Sequence, residues 1–253
     1  MHEEEDFVFT DEEVEDDFLI VDDTDFTDES ELRRVVAEVE SLVGGRGGRG
    51  VRVSVLTAEQ WKTVIARALP PAMRRGKAHM YLHTLRDPRD ERHLLVSPSA
   101  VQAINEGQPS MYEDVIYAAL RCLPSELCPL LRRGVDDLIA GELGERLDLK
   151  LYTRHHPREA ALVRNLLFVL VEQFNYTSLE WALQLRRQPR RCLLAVRKTR
   201  FARKWKADAG EQHLAELVDV LTKRSANFEL PLVAEFERRL AGYRAEREGG
   251  KDD

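Results

Sequence analysis

Histidines, cysteines, serines and carboxylates are the side chains that hold metals or move protons, and their spacing decides whether they can act together. His79 and His83 stand four apart in Ala78 to Leu85 (AHMYLHTL), a run that reads as a strand. In a strand that spacing puts both rings on one face, about 13 Å apart. With His93 they could gather around a metal; surface or hairpin histidines are the commoner outcome. His155-His156 precedes Pro157 and reads as a loop and helix cap. A serine or cysteine nucleophile needs an adjacent base and an oxyanion hole. The chain carries no G-x-S-x-G, no P-loop and no G-x-G-x-x-G. Cys122, Cys128 and Cys192 form no C-x-x-C pair. They suit buried thiols in a reducing compartment. No cofactor and no metal are expected.

The charged residues are more informative. The chain has 253 residues and a formal net charge of -7. Residues 1–29 hold 15 of the 45 acidic residues and no Lys or Arg, so the remainder is +8, with 38 basic against 30 acidic. The acidic segment is interrupted by Phe7-Val8-Phe9, Phe18-Leu19-Ile20-Val21 and Phe26. Self-repulsion and scarce apolar surface read as a disordered tail. Its aromatics are also suited to docking on a partner while the carboxylates steer the encounter, and Phe7, Phe9, Phe18 and Ile20 are the candidate contacts. Near the other end, residues 186–206 hold ten cations and no acid. They include Arg186, Arg187, Arg190, Arg191, Arg197 and Lys198, then Arg200, Arg203, Lys204 and Lys206. Phe201 and Trp205 share a helical face there. Such a stretch can contact nucleic-acid phosphates, an acidic protein or the chain's own tail. It can equally be a helix whose aromatics enter the core while its charges sit in water.

These residues need elements to position them. Leu32, Val35, Val36, Val39, Leu42 and Val43 predict a helix over 31–43, behind an Asp28-Glu29-Ser30-Glu31 cap. GRGGRG (45–50) is a hinge or loop, with a weaker likeness to an RGG nucleic-acid segment. Val51 to Val55 alternates as a strand, and Thr57 caps a helix from Ala58 to Leu69 that Pro70-Pro71 ends. Strand-like Ala78 to Leu85 and His93 to Val96 flank the Asp87-Pro88-Arg89-Asp90 turn as a hairpin. Ser97-Pro98-Ser99 opens a short segment to Asn105. From Tyr112 the chain reads as helices: 110–143 broken at Pro124, 157–175, 178–187, 192–205, 211–223 and 231–247. Strands early and helices late predict an α+β fold, a small N-terminal sheet or hairpin packed on a mainly helical C-terminal bundle. The organisation is a tail (1–29), an α+β part (30–110) and a helical part (111–248) continuous with it. No apolar run reaches the roughly 20 residues a membrane span needs. A cytoplasmic soluble protein is expected.

The order of parts resembles the core of a zincin metallopeptidase of the gluzincin branch. Val115-Ile116-Tyr117-Ala118-Ala119-Leu120-Arg121-Cys122-Leu123 is similar to the neighbourhood of its H-E-x-x-H helix. In that family two histidines at i and i+4 hold zinc, and the intervening glutamate activates the bound water. The resemblance sets Tyr117 and Arg121 at the histidines and Ala118 at the glutamate. Leu130 to Leu138 looks like the following E-G-x-x-[DE] segment, with Arg133 at the third ligand and Gly134 and Asp137 retained. The likeness covers about residues 51–175, and the spacing from Arg121 to Arg133 is short for the family. It implies a zincin-like scaffold without metal and without hydrolysis. An unrelated α+β core would give the same hydrophobic pattern. The expected role is therefore a non-catalytic interaction, adaptor or regulatory subunit in a larger assembly. The partner sites are the tail aromatics and Arg187, Arg190, Arg191, Arg197, Lys198, Arg200 and Lys204. The alternative is a nucleic-acid-binding accessory protein whose basic face is masked by the tail.

Overall fold

A computed structural model describes residues 28–44, 50–69, 82–151, 155–209, 211–222 and 231–249. Among them eleven helices accompany one three-stranded sheet, an α+β arrangement dominated by helix. The early helices and strands are α1 (Ser30–Val43), β1 (Arg52–Val55), α2 (Ala58–Ala68), β2 (Thr84–Arg86) and β3 (His93–Val96). Then come α3 (Pro98–Asn105), α4 (Pro109–Cys122), α5 (Pro129–Arg146), α6 (Pro157–Gln173), α7 (Ser178–Arg187) and α8 (Pro189–Val196). The chain closes with α9 (Arg200–Ala209), α10 (Glu211–Thr222) and α11 (Pro231–Gly249).

Local chemistry sets most of the boundaries. In α2, Gln60 N donates to Thr57 Oγ1 (3.2 Å) and Thr57 N to Gln60 Oε1 (3.1 Å), a reciprocal cap. Thr177 and Glu180 do the same for α7. Six helices, α3, α4, α5, α6, α8 and α11, begin on a proline, where the missing N–H costs nothing. Asp148 (φ 56°) takes the left-handed conformation just beyond α5 and turns the chain back along it.

The sheet order is β1-β3-β2. β1 runs parallel to β3, pairing Arg52 with His93 and Val55 with Val96. β2 runs antiparallel to β3, pairing Thr84 with Val96 and Arg86 with Leu94. Asp87 Oδ1 accepts from Arg89 N (2.8 Å) and its Oδ2 lies 3.1 Å from His93 Nδ1. The opposite His93 nitrogen is 2.9 Å from Ser54 Oγ, so one imidazole ties the turn, β3 and β1 together. Helix α4 lies at the centre with ten of its fourteen residues buried, packed on α1, α3, α5, β2 and β3. One continuous apolar cluster runs from Leu32 in α1 to Tyr243 in α11.

Two expectations need correction. The helix read over 192–205 is two helices, because Thr199 breaks it: its hydroxyl donates to Val196 O (2.6 Å) and accepts from Ala202 N (3.2 Å). That threonine is a cap, and the competition of its side chain with the backbone restarts the helix at Arg200. The strand read over 78–85 is β2 at 84–86 within the described residues; His79 lies outside them. No helix among the described residues is long and apolar enough to cross a membrane.

Candidate binding edge at the outer strand

Glu113, Tyr117 and Arg121 recur at four-residue spacing on α4 and form one stripe of a largely apolar helix. Tyr117 is buried, and its hydroxyl donates to Asp137 Oδ1 of α5 (2.7 Å). Asp137 Oδ2 accepts the His156 amide (2.8 Å), so this carboxylate joins α4 to the first turn of α6. Burial, and then the Asp137 carboxylate, push the Tyr117 phenol far above its ordinary value. It stays protonated and committed as a donor. His155 stands edge-on to Tyr117, ring centroids 4.4 Å apart, with Nε2 3.8 Å from Glu113 Oε2. Glu113 is 3% exposed. Burial raises the neighbouring Asp114 carboxyl, while His83 and His155 pull it down. His83 Nδ1 lies 3.2 Å from Ser99 Oγ and 3.5 Å from Ser97 Oγ. The polar groups of α4 thus meet β2, the start of α3 and the loop before α6.

The other positions that the resemblance singles out behave differently. Ala118 is buried in the core and Arg121 is exposed. Arg133 is half exposed and lies 3.4 Å from Glu159. Gly134 has a packing reason: a Cβ there would fall on the Glu159 carbonyl and 2.7 Å from Val163 Cγ2. Glycine lets α5 and α6 touch backbone to backbone. His83, His93, His155 and His156 do not converge; among the described residues no three His, Cys, Asp or Glu side chains gather as a metal site. All three cysteines are buried. Burial pushes the Cys122 and Cys192 thiols up to about 11 and also raises Cys128, which keeps them un-ionised.

The outer strand beside these groups is β2. Ser97 N donates to His83 O and Asp87 N to His93 O, both 2.9 Å, so the odd-numbered residues of this strand face β3. The amides and carbonyls of Thr84 and Arg86 therefore point the other way, and no strand among the described residues pairs with that edge.

At the C-terminal end of α4 sits a charge cluster that sequence reasoning missed. Arg186 belongs to the cationic stretch 186–206, yet it is 1% exposed. Its guanidinium pairs with buried Asp136 and donates to Leu120 O (2.6 Å) and Leu123 O (3.3 Å). Arg132 Nη2 adds bonds to Leu120 O (3.2 Å), Arg121 O (3.1 Å) and Leu123 O (3.4 Å), and its Nε is 3.5 Å from Asp136. Two guanidiniums thereby satisfy the open carbonyls at the end of α4. The signal was present: with Trp181, Ala182 and Leu185, Arg186 occupies the apolar stripe of α7.

The rest of the basic stretch is dispersed. Arg187 is exposed and donates to Val43 O at the end of α1 (3.3 Å). Arg191 donates to Gln188 Oε1 (3.3 Å), and Lys204 pairs with Glu246 of α11 (2.6 Å). Arg190, Lys198, Arg200 and Arg203 are exposed, and Arg197 is half-buried. Phe201 and Trp205 are buried against Phe236 and Tyr243, so the aromatics serve the core. Phe7, Phe9, Phe18 and Ile20 lie outside the described residues. Comparison of the chain with family models, with curated proteins and with solved structures returns no match.

Proposed function

We propose that this chain is a non-catalytic protein-interaction module, an adaptor or regulatory subunit on a degenerate zincin-like scaffold, that holds an extended peptide beside β2. The observation that carries the reading is the commitment of Tyr117. In the resemblance it stands at the first metal ligand, and here its hydroxyl is given to Asp137 (2.7 Å). The other three positions offer a buried methyl, Ala118, and two guanidiniums, Arg121 and Arg133. Arginine is permanently cationic and alanine has no donor atom, so this set does not fit zinc. A strand edge beside such a set can hold a chain without cutting it. The outward amides and carbonyls of Thr84 and Arg86 supply the recognition, since a free edge accepts a further strand through main-chain hydrogen bonds. His83, Asp114 and the exposed Arg121 supply side-chain preference.

The test is binding of the full chain to an array of extended 12-residue peptides, against a Thr84→Pro variant. Proline at 84 deletes an outward amide and leaves the β2–β3 ladder its donors. The reading expects peptides that bind the parent and lose at least tenfold with Thr84→Pro, with no cleavage. Peptide binding indifferent to Thr84→Pro refutes it. Salt-sensitive binding of a fluorescent oligonucleotide, without peptide binding, would favour the nucleic-acid alternative.

A further inference from the structure

We infer that a second surface, independent of the β2 edge, is a docking groove for an amphipathic helix with one acidic and one basic flank. The groove lies between α5, α6 and the first turn of α7 and encloses about 440 Å³. Its floor is apolar, formed by Leu138, Leu167, Phe168 and Leu179. Residues 137–145 of α5 and 160–171 of α6 border it, about 12 Å and 17 Å of helix. A straight trough between two helices fits the two or three turns of a third.

Three observations set its occupant. Among the described residues the exposed large apolar side chains are Val171, Tyr176 and Leu194. Val171 lines the groove, and Tyr176, in the turn before α7, stands edge-on to Trp181 (5.4 Å). Gly141, also in the lining, has no packing reason to be glycine: a Cβ there would meet nothing within 4 Å. The neighbouring glycines differ, since Gly134 faces the α6 backbone and Gly144 faces Leu151 (2.7 Å). A helix-interior glycine is unfavourable, so an open one marks a close approach by something else. The rims carry opposite charge. Glu142 and Glu145 stand on the α5 side, and Arg164 and Arg244 on the side of α6 and α11. Arg244 also pairs with Glu248 (2.8 Å) and lies over Phe168. A helix with a leucine stripe, lysines facing α5 and glutamates facing α6 would complement floor and rims together.

The test uses the full chain and three synthetic helical peptides that share one leucine stripe: Lys on one flank and Glu on the other, Lys on both, or Glu on both. Fluorescence anisotropy reads their affinities. The inference expects the mixed peptide to bind at least fivefold tighter than either single-sign peptide. Gly141→Trp should cost at least tenfold. Gly141→Ala should raise the melting temperature while weakening binding severalfold. Equal affinity for all three peptides, or mixed-peptide binding unaffected by both Gly141 variants, overturns it. Binding that appears only after deletion of residues 1–27 also overturns it, since the occupant would then be the chain's own N-terminal segment.

Discussion

Replacing Arg186 by methionine is the sharpest perturbation the fold allows, because it keeps an unbranched apolar stem and removes the guanidinium with its charge and donors. Three things change at once. Asp136 loses its main counter-charge in a place where water cannot replace it, and Leu120 O and Leu123 O lose one of their donors. Removing one partner of a buried pair costs about 3–5 kcal/mol, mostly because the surviving charge stays buried. Arg132 remains, with Nε 3.5 Å from Asp136 and bonds to both carbonyls, which puts the expected loss at the lower end, about 3 kcal/mol. At about 2–4 °C per kcal/mol for a chain of this size, the melting temperature should fall by roughly 6–12 °C. Urea unfolding followed by circular dichroism measures it. The double variant Arg186→Met/Asp136→Leu should recover most of the loss, since no charge is left stranded. A single variant within 1 kcal/mol of the parent, or a double variant worse than the single, would refute the assignment of this cluster as the clamp on α4.

Tyr117→Phe leaves Asp137 Oδ1 without its donor and should cost about 1–3 kcal/mol in the same assay, whereas a phenol spare for other chemistry would cost nothing. Glycine substitutions in α5 should split by sign. Gly134→Ala meets the Glu159 carbonyl and destabilises by about 1–3 kcal/mol, while Gly141→Ala stabilises by about 1 kcal/mol. In acid, the Arg89 amide first and the His93 ring second hold the Asp87 carboxyl below its ordinary 3.8. Its contribution is therefore present above that value and lost as pH falls through the lower folded value. The pH profile of thermal unfolding should be flatter in Asp87→Asn below pH 4.

How much of this was legible depends on whether a residue's role is local. The apolar stripe of α1, the Thr57 cap and the Pro157 start were readable because three or four neighbours decide them. The burial of Phe201 and Trp205 was one of the readings that their helical spacing left open. The parallel pairing of β1 with β3 was not readable, since it joins residues about forty positions apart and the hairpin alone suggested two strands. Nor was the Tyr117–Asp137 bond, which depends on how α4 crosses α5. Arg186 misled for another reason. Nine other cations follow it within twenty residues, and only its place on the stripe of α7 separates it from them.

At the centre of the proposed function is Tyr117, committed to Asp137 and not to a metal. Zinc content of the full chain after equilibrium dialysis against micromolar zinc tests it most directly. The account predicts far less than one equivalent, unchanged in Tyr117→Phe. One firmly held zinc per chain, released by Glu113→Gln or His155→Ala, would contradict it.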